Sequence, residues 1–202
     1  MKGQNPFDGH GFIFGAWQGS NSSASVQSYF QGTTKRHGGI FNKIEHSLNY
    51  LESHDDHTLG DFIRLGLELL DEDEVVSDID RHAKLSPAEM KLHRLAAFML
   101  MTSQGSVMIA QGQDWGRSKV IADVGVPDNK AGHIDHNSYE KDDETNWLNF
   151  EHRRMNQELV DYYSALIRLR AEQPLLRKAE KTTALRAKQA FGVGYHAISG
   201  EN

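Results

Sequence analysis

The densest chemistry in the chain is one short run, Glu52-Ser53-His54-Asp55-Asp56-His57. Carboxylates and imidazoles so close together suggest four kinds of chemistry. The first is none: a polar loop leading into a capped helix. The second is a metal site, since all three residue types are ligands. Neighbours on an extended strand point in opposite directions, however, so this spacing suits one ion poorly. The third is a metal phosphohydrolase with a His-Asp dyad, a pair that normally sits on a helix in an all-helical fold. The fourth is a glycosidase carboxylate facing a cationic transition state. The residues taken alone leave all four open.

The elements that must position this run can be read from periodicity. Ser47 to Ser53 is short and apolar-rich and predicts a buried strand ending at the polar run. Thr58 to about Leu70 predicts a helix, with Leu59, Phe62, Ile63, Gly66, Leu67 and Leu70 on one face. The acidic run Asp71 to Glu74 is expected to be solvated loop. Ser86-Pro87-Ala88-Glu89 is a helix start with a capping box. That helix should reach about Thr102, and Gly105 should follow its end. Ser106 to Ala110 predicts a second buried strand. Residues 112–146 read as polar loop. About residues 153–172 predict a further helix, with Met155, Leu159, Tyr162, Tyr163, Leu166 and Ile167 inward and Pro174 as the stop. Thr182 to Arg186 and Phe191 to Ile198 then alternate as strands of a half-exposed sheet.

Residues 1–40 read differently. Asn5-Pro6-Phe7-Asp8-Gly9-His10-Gly11 and Gly19-Ser20-Asn21-Ser22-Ser23 are loop chemistry. Phe12, Ile13, Phe14 and Trp17 make a short apolar patch within them. Forty residues of mostly loop at the start of a domain suggest supporting elements elsewhere. Buried strands alternating with helices argue for parallel α/β packing. Two such strands close no barrel and leave edges unpaired. The expected class is therefore α/β: units of a larger object, followed by the start of an antiparallel domain.

Composition narrows the function classes. The 202 residues are 38% hydrophobic and 25% charged, which suits a soluble globular chain. No apolar stretch approaches the roughly 18 residues of a membrane helix, and Met1 to Pro6 is no signal peptide. There is no cysteine, so thiol catalysis and disulfides are excluded. A net charge of −6 without a basic block argues against nucleic acid as a partner. The eleven histidines are scattered and read mainly as structural residues. The compartment stays open.

Several stretches carry a resemblance. Asn49-Tyr50-Leu51-Glu52-Ser53-His54-Asp55-Asp56-His57-Thr58-Leu59 resembles the fourth conserved region of the α-amylase family (glycoside hydrolase family 13), in its pullulanase and debranching-enzyme form. Thr102 to Lys119, with Ser103-Gln104-Gly105 and Gly112-Gln113-Asp114, is similar to the family's eighth strand. Asn137-Ser138-Tyr139 and Asn146-Trp147-Leu148-Asn149-Phe150 resemble the segment before the last barrel helix. Leu166 to Arg170 and Pro174 to Arg177 resemble that helix's end. The matches run in family order over about residues 10–198.

The resemblance implies the C-terminal portion of a (β/α)8 barrel over residues 1–177 and the start of a β-sandwich over 178–202. It implies a retaining hydrolase of α-glucans that cleaves α-1,6 branch linkages. Asp55 would stabilise the oxocarbenium-like transition state, and His54 would donate to the same sugar ring. Asp56 stands where pullulanases often have Asn. Gln113-Asp114 replaces the usual Gln-Glu. Arg117 and Asn137 would line the substrate cleft with Asp56 and Gln113. No metal and no cofactor is assigned. The family's nucleophile, an Asp after an Arg, and its acid/base Glu are not found as motifs. Gly11 to Trp17 looks like the segment just after the acid strand. Both groups are therefore expected upstream, in a missing N-terminal part of the barrel, and the chain alone is expected to be inactive. Two alternatives are a stand-alone glucan- or partner-binding protein and one chain of a split enzyme.

Overall fold

A computed structural model describes residues 2–3, 5–8, 11–14, 23–35, 38–125, 130–179, 181–187 and 190–196. The expectations on His10, Trp17 and Gly19 to Ser22, and on the chain end at Ile198, lie outside these residues. The elements are α1 (Ser23–Phe30), β1 (Leu48–Asn49), α2 (Leu59–Gly66), α3 (Ile79–Ala83), α4 (Pro87–Thr102), β2 (Ser106–Val107), α5 (Phe150–Met155), α6 (Gln157–Glu172), α7 (Leu175–Lys178), β3 (Lys181–Ala187) and β4 (Ala190–His196). Short 3-10 turns lie between them, one of them at Gln113–Trp115.

Strands β1 and β2 pair in parallel, Leu48 with Ser106 and Asn49 with Val107. The connection between them carries α2, α3 and α4, which is the α/β arrangement expected. The strands are shorter than the apolar runs predict. Leu48 and Tyr50 are 52% and 53% exposed, so the expected buried strand over Ser47 to Ser53 is buried only at Ser47, Leu51 and Glu52. Pairing sets this limit: among the described residues each strand of this sheet has only the other as partner. Strands β3 and β4 form a separate antiparallel pair, from Lys181 opposite His196 to Ala187 opposite Ala190.

The core lies where α2, α4 and α6 meet. Leu59 and Ile63 of α2 pack with Ala96, Met99 and Leu100 of α4 and with Leu159, Tyr163 and Leu166 of α6. The Ser86 capping box at the start of α4 forms as the sequence predicts: Ser86 Oγ accepts from Glu89 N, and Glu89 Oε2 accepts from Ser86 N at 2.8 Å. Gly105, just beyond α4, has φ +86, and a Cβ there would meet Ile44 O at 2.8 Å. Only glycine fits that position.

Three departures have identifiable causes. Helix α1 falls inside the segment read as loop; Val26 and Phe30, four residues apart, bury into the core and outweigh a polar composition. The long helix expected over 153–172 is two helices meeting at Asn156. This buried residue donates Nδ2 to Ala83 O and Trp115 O and accepts from Leu85 N through Oδ1. Those bonds tie it to two other segments, residues 83–85 and the turn at Trp115. Ile167, expected inward, is exposed because the buried face of α6 runs through Leu159, Tyr163, Leu166 and Arg170; Met155, also expected inward, is exposed at the end of α5. At the far end of α4, the Arg170 guanidinium donates to Met101 O and Ser103 O, carbonyls that the helix end leaves without partners.

Candidate active site

Residues 53–58 form a turn between the exit of β1 and the start of α2. Helix α2 begins where Thr58 Oγ1 accepts from Asp61 N at 3.0 Å. The turn thus follows the carboxyl end of a parallel strand, the end at which barrel enzymes carry their active sites. A cleft of about 520 Å³ opens beside it, with Glu52, His54, Gln111, Arg117, Lys119 and Tyr139 in its walls.

The turn displays its charges. His54 and Asp55 side chains are 78% and 67% exposed and lie together, Nε2 to Oδ1 at 3.3 Å. Ser53 Oγ accepts from Asp55 N at 3.3 Å. Asp56 is exposed, with φ +61, a left-handed conformation that Asp tolerates better than most side chains. His57 turns inward, its Nε2 buried without a protein partner and its ring 5.7 Å from that of His136. Burial pushes the His57 imidazole below the usual range, against the pull of Asp61. Among the described residues no three His, Asp or Glu side chains gather around a common point for a metal ion.

The other sequence-selected residues are placed differently. Arg117 is half-buried; its Nη2 donates to Asn146 O at 2.7 Å. Asn146 in turn organises the loop from Ser138, accepting from Ser138 Oγ and donating to Ser138 O and Lys141 O. Asn137 precedes that loop and is exposed; Asp135 Oδ1 accepts from its backbone N–H. It is not in the cleft wall. Gln113 is fully buried, its Nε2 donating to Tyr163 Oη at 2.8 Å. Gln113 is not among the residues in the cleft walls. Asp114 is half-buried, and burial raises its carboxyl above the ordinary range.

Behind the exposed turn lies a buried ionic cluster that spacing does not announce. Arg64 Nη1 is 3.3 Å from Asp61 Oδ1, and its Nε is 3.0 Å from Glu89 Oε1. Asp61 Oδ2 accepts from Lys119 N at 2.9 Å, and Arg64 Nη2 donates to Gly116 O. Thr58 Oγ1 has one proton and two acceptors in reach, Asp61 Oδ2 and Arg117 O. The cluster therefore fixes residues 116–119, which carry Arg117 and Lys119 into the cleft. Burial alone would raise the Asp61 carboxyl, but His82, Arg64 and its hydrogen bonds bring it down to about 2. His93, fully buried, is held at about 3 by burial and by the nearby Arg64 charge. Glu52 goes the other way: burial pushes its carboxyl up to about 7, against the Leu59 N–H that it accepts.

The chain is 29% identical over 153 residues to the pullulanase of Bacillus subtilis (strain 168), covering 76% of this chain and 18% of that protein. Its fold is similar to a variant pullulanase of Paenibacillus barengoltzii complexed with maltotriose, at 30% identity and TM-score 0.60, over 88% of this chain and 24% of that one. The chain is pullulanase-like. The catalytic module of the pneumococcal glycogen-degrading protein SpuA, in complex with an inhibitor, shares the fold at TM-score 0.64 and 19% identity, over 87% of this chain and 29% of that one. No family model matches the chain. The pullulanase-like chain thus spans less than a third of the length of each of these relatives. Among its described residues no helix is long and apolar enough to cross a membrane.

Lys119, Asp61, Arg64, Glu89 and His93 are the site residues that sequence reasoning does not select. No local signal marks them: α2 has one apolar face in sequence, and only the structure shows Leu59 to Leu65 all buried, so that the charges of Asp61 and Arg64 must be paired inside.

Proposed function

We propose that this chain is part of a retaining glycoside hydrolase of α-glucans such as starch, glycogen or pullulan, and that the parent activity cleaves α-1,6 branch linkages. The observation that carries this reading is the exposed Asp55 carboxylate with His54 beside it, on a turn that follows a parallel strand and rims an open cleft. The similarity to pullulanases, one of them solved with maltotriose, supports α-glucan as the ligand class.

In this reading Asp55 opposes the positive charge that develops on the sugar ring, and His54 donates to a ring hydroxyl. Asp56 and Arg117 contact neighbouring sugar hydroxyls, Asn137 lies at the edge of the site, and Gln113 holds the floor through Tyr163. Retention needs a nucleophile and an acid/base about 5 Å apart. Neither the Arg-x-Asp motif nor the acid Glu is present in the 202 residues. Glu52 does not replace them, because its Oε2 is bound to Leu59 N at the start of α2. The chain alone then binds oligosaccharide without hydrolysing it, and residues 1–177 belong to a barrel completed by another segment. Residues 178–202 begin a β domain.

Incubation of the purified 202-residue chain with pullulan checks this directly. No reducing sugar is expected, whereas maltotriose should bind the wild type and not Asp55→Asn. Hydrolysis by the chain alone would sink the incomplete-site reading; equal binding by Asp55→Asn would sink the role of Asp55. The exposed Leu48 and Tyr50 beside the two-stranded sheet fit completion by further strands, whether of the same polypeptide or, in a split enzyme, of a second chain.

A further inference from the structure

The Asp55 carboxylate is 67% exposed, and its ion-pair partner among the described residues is His54, itself exposed. Its position is therefore set by the backbone of residues 53–58, and beside the Thr58 Oγ1 bond to Arg117 O two further bonds hold that segment from outside. The first is Glu52, buried at the exit of β1, whose Oε2 accepts from Leu59 N at 2.9 Å. One side chain thereby joins the two ends of the turn. It also supplies an acceptor to one of the amides that a helix N-terminus leaves free. The second is Lys119, buried, whose Nζ donates to His54 O at 3.3 Å from the opposite wall of the cleft. Lys119 is in turn anchored through its own N–H to Asp61 Oδ2.

We propose that Glu52 and Lys119 are positioning residues: they clamp the turn that carries His54 and Asp55, and loosening either one displaces Asp55. The inference rests on the glucan reading above for what Asp55 contacts, but the clamp itself stands on these two bonds. It also makes the turn sensitive to pH. The charged and titratable groups around Glu52 are Lys2, Asp61, Arg117, Lys119 and Tyr163, and burial outweighs their sum and raises the Glu52 carboxyl to about 7. Near neutral pH the clamp thus alternates between a carboxylate, which holds Leu59 N–H with full charge, and a neutral acid, which holds it less strongly.

The test uses amide NMR of the full 202-residue chain, titrated from pH 5 to 9 and separately with maltotriose. In the wild type the Leu59 amide should shift with a midpoint near 7, and that transition should vanish in Glu52→Gln, which keeps an acceptor and the fold. Lys119→Met should move the His54, Asp55 and Asp56 amides and weaken maltotriose binding about tenfold, the scale expected when a positioned group slips. A Leu59 amide that is flat in the wild type, or that titrates unchanged in Glu52→Gln, would overturn the Glu52 half of the clamp. Turn amides and maltotriose affinity unchanged in Lys119→Met would overturn the other half. If maltotriose leaves every wild-type amide unmoved, the glucan reading fails, and the Leu59 transition still decides the Glu52 half on its own.

Discussion

Two charged regions lie within a few residues of each other, and they solve opposite problems. His54, Asp55 and Asp56 are exposed, bound to little, and free to meet a ligand. Asp61, Arg64 and Glu89 are buried behind them and bound to one another or to backbone, with the buried His93 imidazole close to the Arg64 charge. Exposed charges add little to stability, because water competes for them. A buried ionic cluster is expensive to break, because losing one member strands another away from water. The buried cluster is thus a mount and the turn is what it presents.

The largest effect should come from stranding the mount. Arg64→Ala removes the guanidinium that both the buried Asp61 and the buried Glu89 contact, and about 3–5 kcal/mol of unfolding free energy should be lost in urea titration. A loss below about 1 kcal/mol would mean the cluster is wet in solution. Next comes Asn156→Ala, which orphans Ala83 O, Trp115 O and Leu85 N; about 2–4 kcal/mol should go, read by thermal unfolding.

A third effect concerns pH, where two buried groups, Glu52 and His93, pull in opposite directions. Glu52 has a raised carboxyl, about 7 against 4.5, so its contribution is complete below pH 4.5 and lost as pH rises through 7. His93 has a lowered imidazole, about 3 against 6.5, so its contribution is complete above pH 6.5 and lost as pH falls towards 3. Between pH 4.5 and 6.5 the fold keeps a proton on Glu52 that the unfolded chain releases, and refuses one on His93 that the unfolded chain binds. These two terms cancel over that window. In Glu52→Gln, stability should instead rise with pH there by about 1.4 kcal/mol per unit; in His93→Leu it should fall by about as much. Parallel profiles in the two variants would contradict the assignment.

The smallest effect on stability should be at the turn itself. Asp55→Ala should change unfolding free energy by less than about 0.5 kcal/mol, as for exposed side chains without packing, while abolishing maltotriose binding in calorimetry. A large stability loss would make Asp55 part of the mount and erase the contrast.

Much of this could be read in advance. The Ser86-Pro87-Ala88-Glu89 start of α4 declares its own cap, because a capping box is closed by residues three apart. The α/β order comes from short apolar runs alternating with helical periodicity, and the His54-Asp55 run is chemically conspicuous. What stayed hidden shares one cause. The partners are far apart in sequence: Lys119 reaches His54 across 65 residues, Asn156 reaches Ala83 across 73, and Gln113 reaches Tyr163 across 50. No local pattern encodes such a pair. Asn156 breaks a helix that periodicity draws as continuous, and Val26 and Phe30 make a helix where composition reads loop, because burial outweighs propensity.

Local chemistry is written in the order of the residues: where helices start, which strand exits carry charge, and that His54 and Asp55 stand adjacent at one of them. Which charges are displayed and which are buried was settled only when the chain packed. Packing also decides which partners a buried carboxyl meets: Asp61 and Glu52 are both buried, yet His82, Arg64 and hydrogen bonds bring Asp61 down to about 2 while burial leaves Glu52 at about 7.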